Sequence, residues 1–213
     1  DNGCPLVILA CNTASAKALR KNKQNDLPKI APDKRVLGVI RPTTEAIGNF
    51  SYSKSVGILA TSGTVASQSY PIEIAKFFGD VKVYQEACPM WVPIIENNEI
   101  NTPGSAYFIK KNLHSLFHKG KNIDVVLLAC THYPIMQDQI REYLPVDVKL
   151  LSQGAIVAES LAGYLQRHPE IESICSTNSK LEFYTTDSTE DFDNHATLFF
   201  GEPVQSRHVN LEA

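Results

Sequence analysis

Residues 6–15 (LVILACNTAS) and residues 125–134 (VVLLACTHYP) are two versions of one local pattern. In each, four apolar residues run without interruption into Ala–Cys and then into polar residues. Leu6, Val7, Ile8, Leu9, Ala10 and Cys11 align one for one with Val125, Val126, Leu127, Leu128, Ala129 and Cys130. A continuous apolar run rich in β-branched residues is the signature of a strand buried on both faces of a parallel sheet. Its abrupt end places each cysteine at a strand's C-terminal tip, the edge at which open α/β sheets bind ligands. A chain that carries this pattern twice is constrained to the α/β class. The expected architecture is two pseudo-symmetric lobes, each a mainly parallel sheet flanked by helices, with a cleft between them that receives one cysteine from each.

The rest of the chain alternates in the same way. Further strands are expected at 35–40, 54–60, 81–85, 146–151 and 181–187, and helices at 14–20, 42–50, 65–78, 103–119, 134–143, 153–167 and 189–200. Asn12 or Thr13 would cap the first helix. Residues 25–34 and 171–180 read as loops, and a polar tail follows residue 200. Residues 1–41 with 152–213 are assigned to a first, discontinuous lobe, and 42–151 to a second.

Charge and cysteine usage narrow the functions open to such a fold. The net charge is −3 and the longest basic run is Arg20–Lys21–Asn22–Lys23, a solvated helix end, so nucleic acid is not expected as a partner. No apolar run approaches the roughly 18 residues that span a bilayer, so no membrane is expected either. Five cysteines (Cys4, Cys11, Cys88, Cys130, Cys175) form an odd set without a CxxC pair, which argues for reduced thiols in the cytoplasm and against a disulfide framework or a zinc site. His114 and His118 lie four apart on one helix with no third ligand nearby, and read as a polar face. Cys88, before a proline in apolar surroundings, reads as structural. Glu96 ends an apolar stretch, which on pattern alone makes it a solvated carboxylate. Thr61–Ser62–Gly63–Thr64 empties an apolar strand into hydroxyls and a glycine before a helix, an arrangement suited to a carboxylate or phosphate but lacking the lysine and spacing of a P-loop.

Two matched cysteines suggest chemistry on both faces of one carbon. Racemisation requires it: a thiolate removes an α-proton and the opposite thiol delivers one to the other face. A thiol pKa near 8.5 leaves both protonation states accessible near neutrality, and adjacent helix N-termini favour the thiolate. A hydrolase built on Cys130 and His132 is the competing chemistry; it would trap an acyl-enzyme and leave Cys11 without a role.

The Ala10–Cys11–Asn12–Thr13–Ala14–Ser15 and Ala129–Cys130–Thr131–His132–Tyr133–Pro134 segments resemble the two signature segments of bacterial glutamate racemases, within the cofactor-independent Asp/Glu racemase superfamily. Ala60–Thr61–Ser62–Gly63–Thr64 and Ala87–Cys88–Pro89, with Val92, Pro93 and Glu96, resemble further motifs of that family in the same order, over essentially the whole chain. The resemblance implies interconversion of L- and D-glutamate, supplying D-glutamate for peptidoglycan, with no cofactor and no metal. It implies that Cys11 and Cys130 are the acid/base pair, that Asn12, Thr13, Thr61, Thr64 and Thr131 bind the amino acid, that His132 assists Cys130, and that Glu96 lies near substrate. Cytoplasmic localisation and a small-molecule partner, glutamate, follow, and a homodimer is allowed. The family opens with an Asp–Ser–Gly strand and a Tyr–Gly loop that do not precede Leu6. By this resemblance the chain is an amino-terminally truncated member lacking about two βα units, on the order of 60 residues at roughly 30 per βαβ unit. The absent Asp would orient Cys11. The alternative reading is an impaired racemase-like domain that only binds an acidic amino acid or dimerises.

Overall fold

The strand built from residues 54–60 decides the arrangement of everything around it. In the computed structural model, which describes residues 3–210, this strand is β3 (Ser55–Ala60), and all six of its residues are buried. Ahead of it come β1 (Leu6–Leu9), α1 (Asn12–Lys17), α2 (Leu19–Lys21), α3 (Leu27–Ile30), β2 (Arg35–Gly38) and α4 (Ile40–Ala46). After it come α5 (Ser62–Ser67), α6 (Ser69–Phe77), β4 (Lys82–Ala87), α7 (Trp91–Glu96), α8 (Pro103–Lys119) and β5 (Val125–Ala129). The chain continues through α9 (Gln137–Glu142), β6 (Lys149–Ser152), α10 (Gly154–Arg167), α11 (Pro169–Glu172), β7 (Phe183–Thr185), α12 (Thr189–Phe200) and β8 (Ser206–His208).

Among the described residues three sheets result, all with parallel pairing. β4, β3, β5 and β6 lie side by side in that order, β1 pairs with β2, and β7 pairs with β8. Alternation along β3 sorts its side chains between two helical layers. Val56, Ile58 and Ala60 join Val125, Leu127 and Ala129 of β5 in a core with Ile40, Ile47, Tyr70 and Ile74 from the α4 and α6 side. Gly57 faces α8, which comes so close that a Cβ there would lie 2.7 Å from Leu116 Cδ2. The chain forms two compact units, Asp1–Cys175 and Ser176–Ala213. The second is a small βαβ arrangement of β7, α12 and β8.

The α/β class and the parallel sheets flanked by helices are as expected, while several local expectations need correction. β1 was expected to be buried on both faces, yet Val7 and Ile8 are 42% and 37% exposed, because among the described residues β1 pairs with β2 alone. Helix α1 starts at Asn12, two residues before the expected position 14: Cys11, in extended conformation, occupies the cap position expected of Asn12 or Thr13, and no side chain caps it. The helix expected over 65–78 is broken at Gln68, whose φ of 55° is left-handed. Of the loop expected at 25–34, residues 25–30 are helical: a π-type turn at Asn22–Asp26 runs into α3. Part of the loop expected at 171–180 is helix α11, started by Pro169, and the polar tail contains strand β8.

Candidate active site

Register builds the site. Ala60 stands opposite both Ala87 and Ala129, so Thr61, Cys88 and Cys130 leave the large sheet at one level, and the Cys88 N–H closes the row by donating to Ala60 O at 2.8 Å. Thr61 caps α5, its Oγ1 accepting from the Thr64 N–H at 3.3 Å. Opposite, at the end of β1, Cys11 caps α1 and Thr13 follows in its first turn. The two helix starts meet through hydroxyls: Thr13 Oγ1 lies 2.8 Å from Thr61 Oγ1 and 3.1 Å from Thr64 Oγ1, and Thr61 donates to Thr64 at 3.1 Å. Gly63 permits this approach, since a Cβ there would sit 3.0 Å from Thr13 Cγ2. Three of the residues expected to bind substrate thus form one closed triangle.

Cys130 is buried and Cys11 exposed. Burial pushes the Cys130 thiol above its ordinary value, and the negative charges of Cys11 and Glu96 push in the same direction; backbone N–H groups of His132 and Tyr133, which donate to Cys130, pull the other way without prevailing. His132 Nε2 lies 3.2 Å from Glu96 Oε1, so the carboxylate that pattern alone left in solvent pairs with the histidine. Glu96 gets there because it ends α7, whose Trp91, Ile94 and Ile95 are buried. Trp91 and Tyr133 rings pack at 4.8 Å between centroids, and the Tyr133 hydroxyl donates to Cys88 O at 3.1 Å.

Thr131 is exposed beside Cys130, outside the hydroxyl triangle. Asn12 is buried and turned to another network, where its Oδ1 accepts from the Tyr70 hydroxyl at 2.7 Å. Cys88 is 1% exposed and burial raises its thiol pKa well above the usual range, in keeping with a structural thiol. His114 and His118 stack on the exposed face of α8. Among the described residues no group of three His, Cys, Asp or Glu could hold a metal, and no helix is long and apolar enough to cross a membrane. A cavity of about 270 Å³ lined by Ile8, Leu37, Arg41, Val157, Tyr164 and Arg167, among others, contains none of the site residues.

Sequence reasoning missed Tyr70, Gln153 and Glu86. Glu86, on β4, accepts from Asn112 (3.0 Å), Ser115 (2.7 Å) and Lys119 (2.6 Å) of α8. Burial works against its charge, but these donors hold its pKa below the ordinary value. No local signal marks such residues, because their partners lie far along the chain.

A parallel α/β framework with paired thiols at its strand ends matches a known class. Residues 1–161 match the model of the Asp/Glu/hydantoin racemase family, and the chain belongs to that family. It is 36% identical to the glutamate racemase of Dinoroseobacter shibae over 219 aligned residues, covering 98% of this chain and 77% of that protein. The glutamate racemase of Roseobacter denitrificans is 38% identical, with 96% and 77% covered. Among solved structures, glutamate racemase isoform RacE1 from Bacillus anthracis superposes with a TM-score of 0.84 at 28% identity over 97% of this chain and 74% of that one. The Francisella tularensis glutamate racemase in complex with D-glutamate gives 0.79 at 28% identity, over 98% and 73%.

Proposed function

We propose that this chain interconverts L- and D-glutamate without a cofactor, using Cys11 and Cys130 as the two acid/base groups. The observation that carries the reading is the placement of the thiols: they end matched strands in two different sheets, whose tips are joined by the Thr13–Thr61 and Thr13–Thr64 hydroxyl contacts. One cysteine, as thiolate, takes the α-proton; the electron pair left on the α-carbon delocalises into the adjacent carboxylate. The other cysteine, as thiol, gives its proton to the opposite face and becomes the thiolate. Each turnover therefore exchanges the protonation states of the pair, and the reverse reaction restores them. Burial of Cys130 favours its thiol form in the resting site, so Cys130 begins as donor.

The hydroxyls of Thr13, Thr61 and Thr64, with Asn12 and Thr131, would hold the carboxylates and the ammonium group. His132, oriented by Glu96, would assist proton movement at Cys130. The lobes in this reading are residues 1–41 with 152–213, and 42–151, with substrate between the two thiols. The product, D-glutamate, would serve peptidoglycan synthesis in the cytoplasm. Circular dichroism of L-glutamate incubated with the chain tests the reading. Loss of optical activity is expected, falling at least 10³-fold in either Cys11→Ser or Cys130→Ser, a loss of the size general acid–base groups supply. Racemisation that survives either substitution would sink the two-thiol mechanism.

A further inference from the structure

A chain of directional hydrogen bonds sets the polarity of the Asn12 side chain from a point remote in sequence. It begins at Val39 O, a carbonyl that can only accept. Gln153 Nε2 donates to it at 3.2 Å, which fixes which way the Gln153 amide faces, because the reversed amide would set Oε1 against the carbonyl oxygen. The same nitrogen lies 2.9 Å from Thr43 Oγ1 and 2.8 Å from the Tyr70 hydroxyl oxygen. Thr43 in turn donates to Val39 O at 3.3 Å, so one Gln153 amide hydrogen is shared between the adjacent Val39 O and Thr43 Oγ1 and the other goes to the Tyr70 oxygen. With its oxygen accepting from Gln153, Tyr70 must point its own hydrogen elsewhere, and the partner is Asn12 Oδ1 at 2.7 Å. Burial pushes the Tyr70 pKa far above the working range, so the hydroxyl remains a donor at any pH the protein meets.

Asn12 is left with its amide oxygen engaged and its Nδ2, a double donor, buried without an acceptor. The residue is only 2% exposed, next in sequence to Cys11. A buried donor with no partner costs on the order of 1–3 kcal/mol, so an arrangement that maintains one calls for an explanation. An acceptor supplied by substrate provides it.

We infer that Tyr70 and Gln153 are positioning residues that hold Asn12 with its Nδ2 presented to a substrate carboxylate. The inference rests on the amino-acid racemase reading above and adds to it the device that sets one subsite's polarity: a group that accepts is taken and one that donates, such as the ammonium, is refused. All three side chains are buried, with Tyr70 packed among Ile40, Ile47 and Ile74.

Two readouts on the full 213-residue chain separate failure of this inference from failure of the racemase reading. The first needs no substrate. With Oδ1 toward Tyr70, the nuclear Overhauser contact between the Asn12 amide hydrogens and the Tyr70 ring hydrogens is expected to be weak. A strong contact means the amide is reversed and overturns the inference. The second readout is kinetic. Tyr70→Phe is expected to raise KM for glutamate about tenfold, the loss of one oriented hydrogen bond, with kcat changed by no more than about threefold. In an Asn12→Ala background the same substitution is expected to leave KM unchanged. An unaltered KM in folded Tyr70→Phe, or an equal rise with and without Asn12, overturns the inference. If the unsubstituted chain does not racemise glutamate, the racemase reading falls and the amide orientation still decides this one.

Discussion

At Cys130 two opposing influences meet in one side chain. Burial and the charges of Cys11 and Glu96 disfavour the thiolate, while the His132 and Tyr133 N–H groups favour it, and the first set prevails. The sign of each influence makes a prediction. Cys11→Ala removes a negative charge that raises the Cys130 pKa, so that pKa should fall and the residue should alkylate faster at pH 8. Peptide-resolved mass spectrometry after iodoacetamide treatment, followed from pH 6 to 10, is the measurement; a rate increase of about threefold corresponds to roughly half a pKa unit. An unchanged profile would mean that the two thiols do not feel each other. The Glu96–His132 pair belongs to this same scale. Its two residues are partly open to solvent, so as a contribution to stability it is worth little, and its value lies in orientation.

Among the elements, close approach of helix to strand is the feature that a single methyl group can upset. At Gly57 a Cβ would reach to 2.7 Å from Leu116 Cδ2, with Ile123 Cγ2 at 3.3 Å. Gly57→Ala should destabilise the chain by about 1–3 kcal/mol, read as a lower urea midpoint with little change in slope. Helix α8 itself was fully legible in sequence: Pro103 at its start and apolar residues at helical spacing mark its bounds from Pro103 to Lys119. The buried strands β3 and β5 were legible for the same kind of reason, being apolar runs too long and too branched to read otherwise. The break between α5 and α6 was not, because Gln68 interrupts a stretch whose apolar spacing carries on through it. Helix α7 was hidden by Pro89 and Pro93, although a proline in a first turn starts a helix as readily as it stops one. Within the site, Cys11, Cys130 and the hydroxyls were visible because strand tips announce themselves. Tyr70 and Gln153 were not, since the bonds that give them meaning span 58 and 83 residues of chain.

Across the whole molecule, acid sensitivity should follow from two carboxylates that tie distant segments together. Burial opposes the charge of Asp124, but the Ser51 hydroxyl and the Tyr52 and Ser53 N–H groups, at 2.6, 2.7 and 2.8 Å, hold its pKa below the ordinary 3.8. Glu86 is likewise held below 4.5. A carboxylate with a depressed folded pKa stabilises the fold above its unfolded value, and that contribution is lost as pH falls through the folded one. The melting temperature should therefore decline as pH drops from about 5 toward 3, and Asp124→Asn should both lower it at pH 7 and flatten this decline in a calorimetric scan. The edge of β1 bears on handling rather than chemistry. It presents Val7 and Ile8 to solvent on a strand whose other side, among the described residues, has no partner, and such an edge is a template for extended chains of any origin. Concentrated preparations should scatter more light with time, and Val7→Lys, a charge set on that rim, should suppress the growth. The same rim that begins the architecture then limits how long the protein keeps in a tube.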